Sequence, residues 1–159
     1  YSTPAGAQQA APPAPPAAPA PTPGPSTADA LKALEAARAA AAKINVLLSC
    51  AVVDSRGDLV ALARMDGARF FTADIARGKA MVAAMFGQPS ANMVTFGSQP
   101  FFANLNTAAQ GRLYPIQGAV PISKNNQVIG AIGCSGASSR PGRWRNSSES
   151  RRLARSVRS

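Results

Sequence analysis

The proline content at the start of this chain limits what it can fold into, because it confines the folded part to the residues that follow. Residues 1–28 hold nine of the 14 prolines and nine alanines. The run Ala11–Ser26 is typical of an extended, polyproline-like and solvated spacer. Residues 137–159 are rich in Arg and Ser. The sequence therefore predicts a linker over 1–28, one domain over 29–136 and a tail over 137–159.

Composition excludes several kinds of site. The chain has no His, so it has no histidine general base and no His-ligated metal or haem site. Its two Cys residues are too few for a multi-Cys zinc site or a disulfide-rich scaffold. No apolar run approaches the ~20 residues that a membrane-spanning helix needs.

The basic charge is concentrated in the tail. Residues 1–136 hold ten Lys and Arg against six Asp and Glu, a net charge of +4, whereas residues 137–159 hold seven Arg and one Glu, a net charge of +6. A short basic tail binds anions without specificity, so we expect no specific nucleic-acid site.

Hydrophobic periodicity predicts the first half of the domain. Ser26–Ile44 is a predicted helix capped by Ser26, Thr27 or Asp29. Val46–Asp54 and Leu59–Met65 are predicted strands that form a hairpin. A second helix, Thr72–Gly87, is expected to have Thr72 as its cap and to end at its glycine.

The second half is more mixed. A short helix from Ser90 to Phe96, a loop through Asn106 and further strands around a turn at Lys124–Gln127 are predicted. Because hairpins dominate, the fold class is α+β, an antiparallel sheet with helices expected on one face.

Four segments of the sequence resemble the GlcG/HbpS family of haem-binding and haem-degrading-domain proteins. They are AVVDSRGDLVALARMDGA, TADIARGKAMVAAMFG, NTAAQGRLYPIQGAVPI and QVIGAIGCSG, and they occur in the family's order within 28–136. The resemblance implies an α/β sandwich around an antiparallel sheet of about five strands. It also implies homo-oligomers, from dimers to octamers.

The C-terminus departs from the family. There the last strand is followed by an acidic segment and an amphipathic closing helix, whereas here an Arg/Ser-rich sequence begins after Gly136. A frameshift near codons 136–139 and a genuine, disordered basic tail both remain open.

The segment Pro100–Tyr114 is the first candidate ligand site. It combines aromatic walls, polar anchors and a fixed positive charge, which a flat apolar ligand with two carboxylates, such as haem, requires. The resemblance also implies a ligand pocket near this segment. The alternative is a loop packed by its own aromatic side chains. The candidate residues are Phe101, Phe102, Asn104, Thr107, Arg112 and Tyr114.

A second candidate site lies between the second strand and the second helix. The cluster Arg64, Asp66, Asp74, Arg77 and Lys79 forms either a site for an anion or partner, with Arg64 and Lys79 as ligand-binding residues, or a structural network of ion pairs.

Without His, haem iron would take Tyr, Met, Cys, Lys or a hydroxyl as its protein ligand, or none. Tyr114 and Thr107 are available, as are Met81, Met85 and Met93. The i,i+4 spacing of Met81 and Met85 favours core packing over ligation.

The two cysteines, Cys50 and Cys134, both fall in predicted strands. They are either buried thiols or, if the strands are neighbours and the protein is exported, a disulfide.

The leading functional hypothesis is an exported protein, periplasmic or extracellular, that captures haem or another tetrapyrrole in a pocket between sheet and helices. The alternative is an enzyme or accessory protein that degrades haem or acts on a small 2-hydroxy or 2-oxo acid. No nucleophile–base pair or cofactor motif supports an enzyme, so a binding protein is favoured.

Overall fold

The computed structural model describes residues 24–136. Most of the predicted linker and all of the Arg/Ser-rich tail lie outside the described residues. Three helices and four strands alternate along the chain: α1 (Thr27–Lys43), β1 (Ser49–Asp54), β2 (Leu59–Arg64), α2 (Thr72–Phe86), α3 (Pro100–Ala108), β3 (Ala119–Lys124) and β4 (Gln127–Ser135). Two 3₁₀ turns, Ser90–Met93 and Phe96–Ser98, connect α2 to α3.

The four strands form one antiparallel sheet in the order β2-β1-β4-β3. Both predicted hairpins are present, and the fold class is confirmed as α+β. The described residues contribute four strands where about five were expected.

Helices cover both faces of the sheet, so the expectation of helices on one face is wrong. Cys50 and Val52 of β1 pack in the core that contains α1, whereas Val53 packs with the alanines of α2. Successive side chains of a strand point to opposite faces. A central strand that is apolar at almost every position therefore needs cover on both sides.

The helix α1 lies close to the sheet because its buried positions are small. Ala30, Ala33, Ala37 and Ala41 are fully buried. The side chain of Ser26 caps the helix, since its Oγ accepts a hydrogen bond from the backbone N–H of Asp29 at 3.1 Å.

The helix α2 crosses the other face in direct contact with β4. A Cβ on Gly133 would approach the carbonyl oxygen of Ala76 and the amide nitrogen of Ala80 to less than 3.0 Å. Thr72 does not cap this helix, contrary to the prediction. Its hydroxyl instead bonds to the carbonyl of Arg69 and lies 2.8 Å from the hydroxyl of Ser49.

The expected loop over residues 97–106 is wrong, because the structure forms α3 there. Pro100 occupies the first turn, where its missing N–H costs nothing. Phe102, Leu105 and Ala109 then recur at helical spacing on the inner side.

Cys50 and Cys134 are directly opposite on β1 and β4 and form a disulfide. The alternative of two buried free thiols is therefore wrong. Sequence spacing could not decide this, because the pairing depends on the register of two strands separated by 84 residues.

None of the helices within residues 24–136 is long and apolar enough to cross a membrane.

Candidate functional site

The outer face of α3 presents three of the predicted site residues. Phe101, Asn104 and Thr107 are spaced by three residues and all are exposed. The Thr107 hydroxyl donates to the carbonyl of Ala103 at 2.9 Å, which orients it along the helix. These residues form one aromatic and polar surface.

The adjacent phenylalanines have different environments. Phe102 is 3% exposed and packs with Val82, Met93 and Leu113, so it belongs to the core. Phe101 is 63% exposed, and its ring centroid lies 5.9 Å from that of Phe96. Of these two rings, only that of Phe101 can contact a ligand on the surface. The ring of Phe96 packs against that of Phe101, and Phe96 was not among the residues predicted from the sequence.

A tight turn follows α3 and positions Arg112. Gln110 and Gly111 both have positive φ, and the side-chain oxygen of Asn106 accepts the N–H of Leu113 at 2.8 Å. The Nε of exposed Arg112 donates to the carbonyl of Ala109 at 3.0 Å. No salt bridge in the described part of the chain involves Arg112. Its guanidinium therefore retains donors for a carboxylate.

Tyr114 lies against α2 at a helical glycine. A Cβ on Gly78 would come within 3.0 Å of both the Tyr114 ring and the carbonyl oxygen of Arg112. The backbone N–H of Tyr114 also donates to the Gly78 carbonyl at 3.4 Å. Gly78 was not among the predicted site residues, although an isolated glycine inside a helical pattern is a signal of close packing.

Lys79, the next residue of α2, is only 8% exposed. Its Nζ donates to the carbonyl of Cys134 at 3.2 Å, and burial lowers its pKa to about 8. A Cβ on Gly118 would lie 3.1 Å from this Nζ. Gly78 and Lys79 thus bring the segment 112–118 and the end of β4 together on α2.

Arg64 lies apart from Tyr114, Lys79 and Gly118. It pairs with Ser49 at the start of β1, and β1 separates β2 from β4. Its Nη1 donates to the carbonyl of Ala68 at 3.0 Å. The structure therefore holds Arg64 beside the loop that leads into α2, two strands away from Cys134.

The predicted network of ion pairs around Arg64 and α2 is wrong. Within residues 24–136, none of the five charged residues of that cluster forms a salt bridge. The Nε of Arg77 is buried there without a hydrogen-bond partner. Sequence spacing allowed the pairs, but the side chains are directed elsewhere.

The candidate iron ligands differ in how far they are buried. Met93 is buried, and its sulfur accepts a hydrogen bond from Gln88. Met81 packs against the core as predicted, whereas Met85 is 49% exposed. Tyr114 remains half-buried at the surface. Among the described residues, no group of three or more His, Cys, Asp or Glu could hold a metal ion.

The charge around this surface favours an anion. The sequence contains no Asp or Glu between Asp74 and Glu149, so α3 and the segment 112–118 carry no acidic group. Arg112 is the charged residue of the segment. We therefore expect a ligand that combines an apolar surface with carboxylates.

Comparison with curated proteins gives two similar relatives. An uncharacterized 15.0 kDa protein of the dhaT-dhaS intergenic region of Citrobacter freundii is 35% identical over 111 residues, which are 69% of this chain and 78% of the relative. Protein GlcG of Escherichia coli K12 is 36% identical over 97 residues, which are 60% of this chain and 69% of GlcG.

Solved structures share the fold. A double mutant of Streptomyces reticuli HbpS has a TM-score of 0.68 at 23% identity and covers 94% of this chain and 96% of its own. The structure titled PduOC:Heme Complex has a TM-score of 0.64 at 21% identity and covers 84% of this chain and 92% of its own.

A family model described as "Haem degrading protein HbpS-like" matches residues 26–141, which exceeds half of the chain. The match contains all the segments on which the resemblance was based. The chain therefore belongs to the HbpS-like family, together with GlcG.

Proposed function

We propose that this protein binds haem or a closely related tetrapyrrole at the surface formed by α3 and the segment 112–118. The observation that carries the proposal is the exposed guanidinium of Arg112, which forms no salt bridge within residues 24–136 and lies two residues before Tyr114 in a segment without acidic residues. Membership of a family described as haem-degrading and the fold shared with a haem complex support it.

Each residue has a distinct role in the proposed complex. Phe101 supplies an exposed aromatic ring for the macrocycle, and Asn104 and Thr107 supply polar contacts along the same helix face. Arg112 binds a propionate carboxylate. Tyr114 supplies the phenol oxygen as an iron ligand or hydrogen-bond donor, since the chain has no His.

The proposed site is the outer surface of α3 and the segment 112–118, and not the interior layer between the sheet and α2. The layer between the middle of α2 and β4 is already filled, as the contact at Gly133 shows. Arg64 and Lys79 stay predictions as ligand-binding residues, but Arg64 lies two strands away from Cys134 and outside the surface proposed here.

A haemin titration of the full chain, followed by the Soret absorbance, tests the proposal. We expect saturable binding, and we expect Arg112→Ala and Tyr114→Phe each to weaken it about tenfold, a loss of ~1.4 kcal/mol. Arg38→Ala is the matched control for charge, because Arg38 is an exposed residue of α1 on the opposite face of the sheet.

A second pair of variants distinguishes a specific aromatic contact from nonspecific hydrophobic binding of haem. Phe101→Ala should weaken haem binding, whereas Phe70→Ala should not, although Phe70 is more exposed at 84%. Unsaturable binding by the folded chain, or equal effects of Arg112→Ala and Arg38→Ala, would overturn the proposed site.

We further propose that the protein works outside the cytoplasm, in the periplasm or extracellularly. The Cys50–Cys134 disulfide supports this, because structural disulfides form and persist in oxidising compartments. Thiol labelling of protein taken from its native cell tests it. Free thiols in the folded protein would contradict export.

Self-association is the third part of the proposal. The edge strand β2 exposes Leu59 and Leu62, which are 43% and 38% accessible. Exposed apolar side chains on a strand edge favour association between copies. We expect a dimer or larger assembly, up to an octamer, in light scattering, and Leu62→Lys should shift it toward the monomer.

A further inference from the structure

The connection between β2 and α2 holds the most exposed large apolar side chain among the described residues. Phe70 is 84% exposed, and its ring meets that of Phe71, which is 39% exposed, edge to face at a centroid distance of 5.2 Å. Neither ring belongs to a core cluster of residues 24–136. Adjacent aromatic rings that stay outside the core are typical of a contact surface.

This apolar surface continues onto β2. Arg64 lies opposite Ser49 of β1, and the Ser49 hydroxyl is 2.8 Å from that of Thr72 at the start of α2, so these positions face the α2 side of the sheet. Leu62, two residues before Arg64, points to the same side and is 38% exposed. Three exposed apolar residues thus form one surface beside the start of α2, the β2–α2 patch: Leu62, Phe70 and Phe71.

Exposed charges of both signs border the β2–α2 patch. Two are basic, Arg64 at the end of β2 and Arg69 beside the aromatic pair. Two are acidic, Asp66 in the connection and Asp74 in the first turn of α2. None of the four forms a salt bridge within residues 24–136. An apolar centre with a charged, solvated rim is the usual arrangement of a protein–protein interface.

The balance of these charges indicates which partner fits. A membrane surface or a nucleic acid is matched by basic residues alone, and the two carboxylates would repel an anionic ligand. A second copy of this chain matches both signs. In a two-fold interface the same surface of each copy meets the other, so an Arg of one copy can face an Asp of its partner, and the contact occurs twice.

We propose that the β2–α2 patch is the two-fold interface through which two copies of this chain associate, with Phe70 at its centre. This inference rests on the self-association proposed above and specifies its surface. Burial of the two rings and of Leu62 supplies the affinity, and the charged rim fixes the orientation of the copies. Pairing of the β2 edges through their backbones alone would not require Phe70.

Sedimentation velocity of the full chain over a range of concentrations tests the role of the ring. Phe70→Ala should raise the dissociation constant of the dimer at least about tenfold, because aromatic side chains at the centre of an interface contribute much of its affinity. Leu31→Ala is the matched control, since Leu31 is a 56% exposed apolar residue of α1. Circular dichroism checks that both variants are folded. Equal dissociation constants for Phe70→Ala and wild type would overturn this interface but not the self-association, whereas a monomeric wild-type chain would overturn both.

A charge-reversal pair tests the rim while keeping the rings. Arg69→Glu makes the rim mainly acidic, and the double variant Asp66→Lys/Asp74→Lys makes it wholly basic, so each should weaken association between its own copies at least about tenfold at low salt. An equimolar mixture should restore association as a heterodimer, detected through a fluorescent label on one variant. Lys124→Glu, at the end of β3, is the control and should not change association. A mixture that forms no heterodimer would refute the proposal, because the choice of partner depends on this complementarity.

Discussion

Replacing Gly78 by Ala gives a stability change whose sign depends on the packing of the segment 112–118. In an isolated helix, Gly→Ala stabilises by about 1 kcal/mol. Here the added Cβ would come within 3.0 Å of the Tyr114 ring and of the Arg112 carbonyl oxygen. The substitution therefore tests whether this segment is seated on α2.

The expected magnitude follows from two opposing contributions. Overpacking a well-filled contact typically costs about 1–3 kcal/mol, and here one of the contacts is backbone, which cannot turn away like a flexible side chain. After subtracting the gain in helix propensity, we expect Gly78→Ala to lower the free energy of unfolding by about 1–2 kcal/mol. For a domain of this size the Tm should fall by roughly 5–10 °C.

Urea and thermal unfolding followed by circular dichroism measure this effect. Tyr114→Ala in the same background removes the ring contact but leaves the carbonyl contact, so it should recover part of the loss and give a coupling of about 1 kcal/mol. A Tm that rises in Gly78→Ala would refute the reasoning, because it would mean that no segment lies against the helix there.

Three further predictions concern the disulfide, the paired aromatics and the buried amine. Replacing Cys50 and Cys134 together by Ala should lower the free energy of unfolding by about 2–4 kcal/mol, and added reductant should then have no further effect on the urea midpoint. Phe102→Ala should lower the free energy of unfolding by about 3–5 kcal/mol, because the ring is in the core. Phe101→Ala should change that free energy by no more than about 0.5 kcal/mol and weaken only haem binding. Equal effects of the two variants on Tm would contradict the assignment of one ring to the core and the other to the surface. Because the pKa of Lys79 is lowered to about 8 in the folded state, the unfolded chain binds more protons between pH 8 and 10.5, so stability should rise across that range by up to about 3 kcal/mol. Lys79→Met should abolish this rise in urea midpoints measured against pH, and an unchanged pH dependence would show that the amine is solvated.

The local structure of this protein follows largely from its sequence. The β1–β2 hairpin, the helices α1 and α2 and the turn before β4 all occur at the predicted positions. The turn is explained by Asn125 and Asn126, which both adopt positive φ and suit a two-residue hairpin connection. Such elements depend on residue types a few positions apart, and this information is present in the linear chain.

Two local features were misjudged for physical reasons. The sequence predicts a loop over α3, in which two adjacent Phe cannot both point into one core face. A helix turns neighbouring side chains about 100° apart, which buries Phe102 and exposes Phe101. Thr72 resembled a helix cap, but a tertiary partner, Ser49, takes part in its hydrogen bonding.

For the candidate site, the sequence predicts which residues could bind a ligand, but the fold decides which of them lie together. Residue type and the family resemblance predicted Phe101, Phe102, Arg112 and Tyr114 among the contacts of an apolar anion, and the structure places the latter two on one short segment beside α2. The separation of Arg64 from that segment depends on the strand order, which sequence spacing does not contain.

Sequence by itself thus determined the family, the α+β class and the residue types available to a ligand. Tertiary structure alone decided that helices cover both faces of the sheet, that Cys50 meets Cys134 and that the amine of Lys79 is buried beside Gly118. The physical reason is range. Propensity and capping act over a few residues, whereas strand register and burial bring together groups tens of residues apart, and only the folded chain fixes those distances.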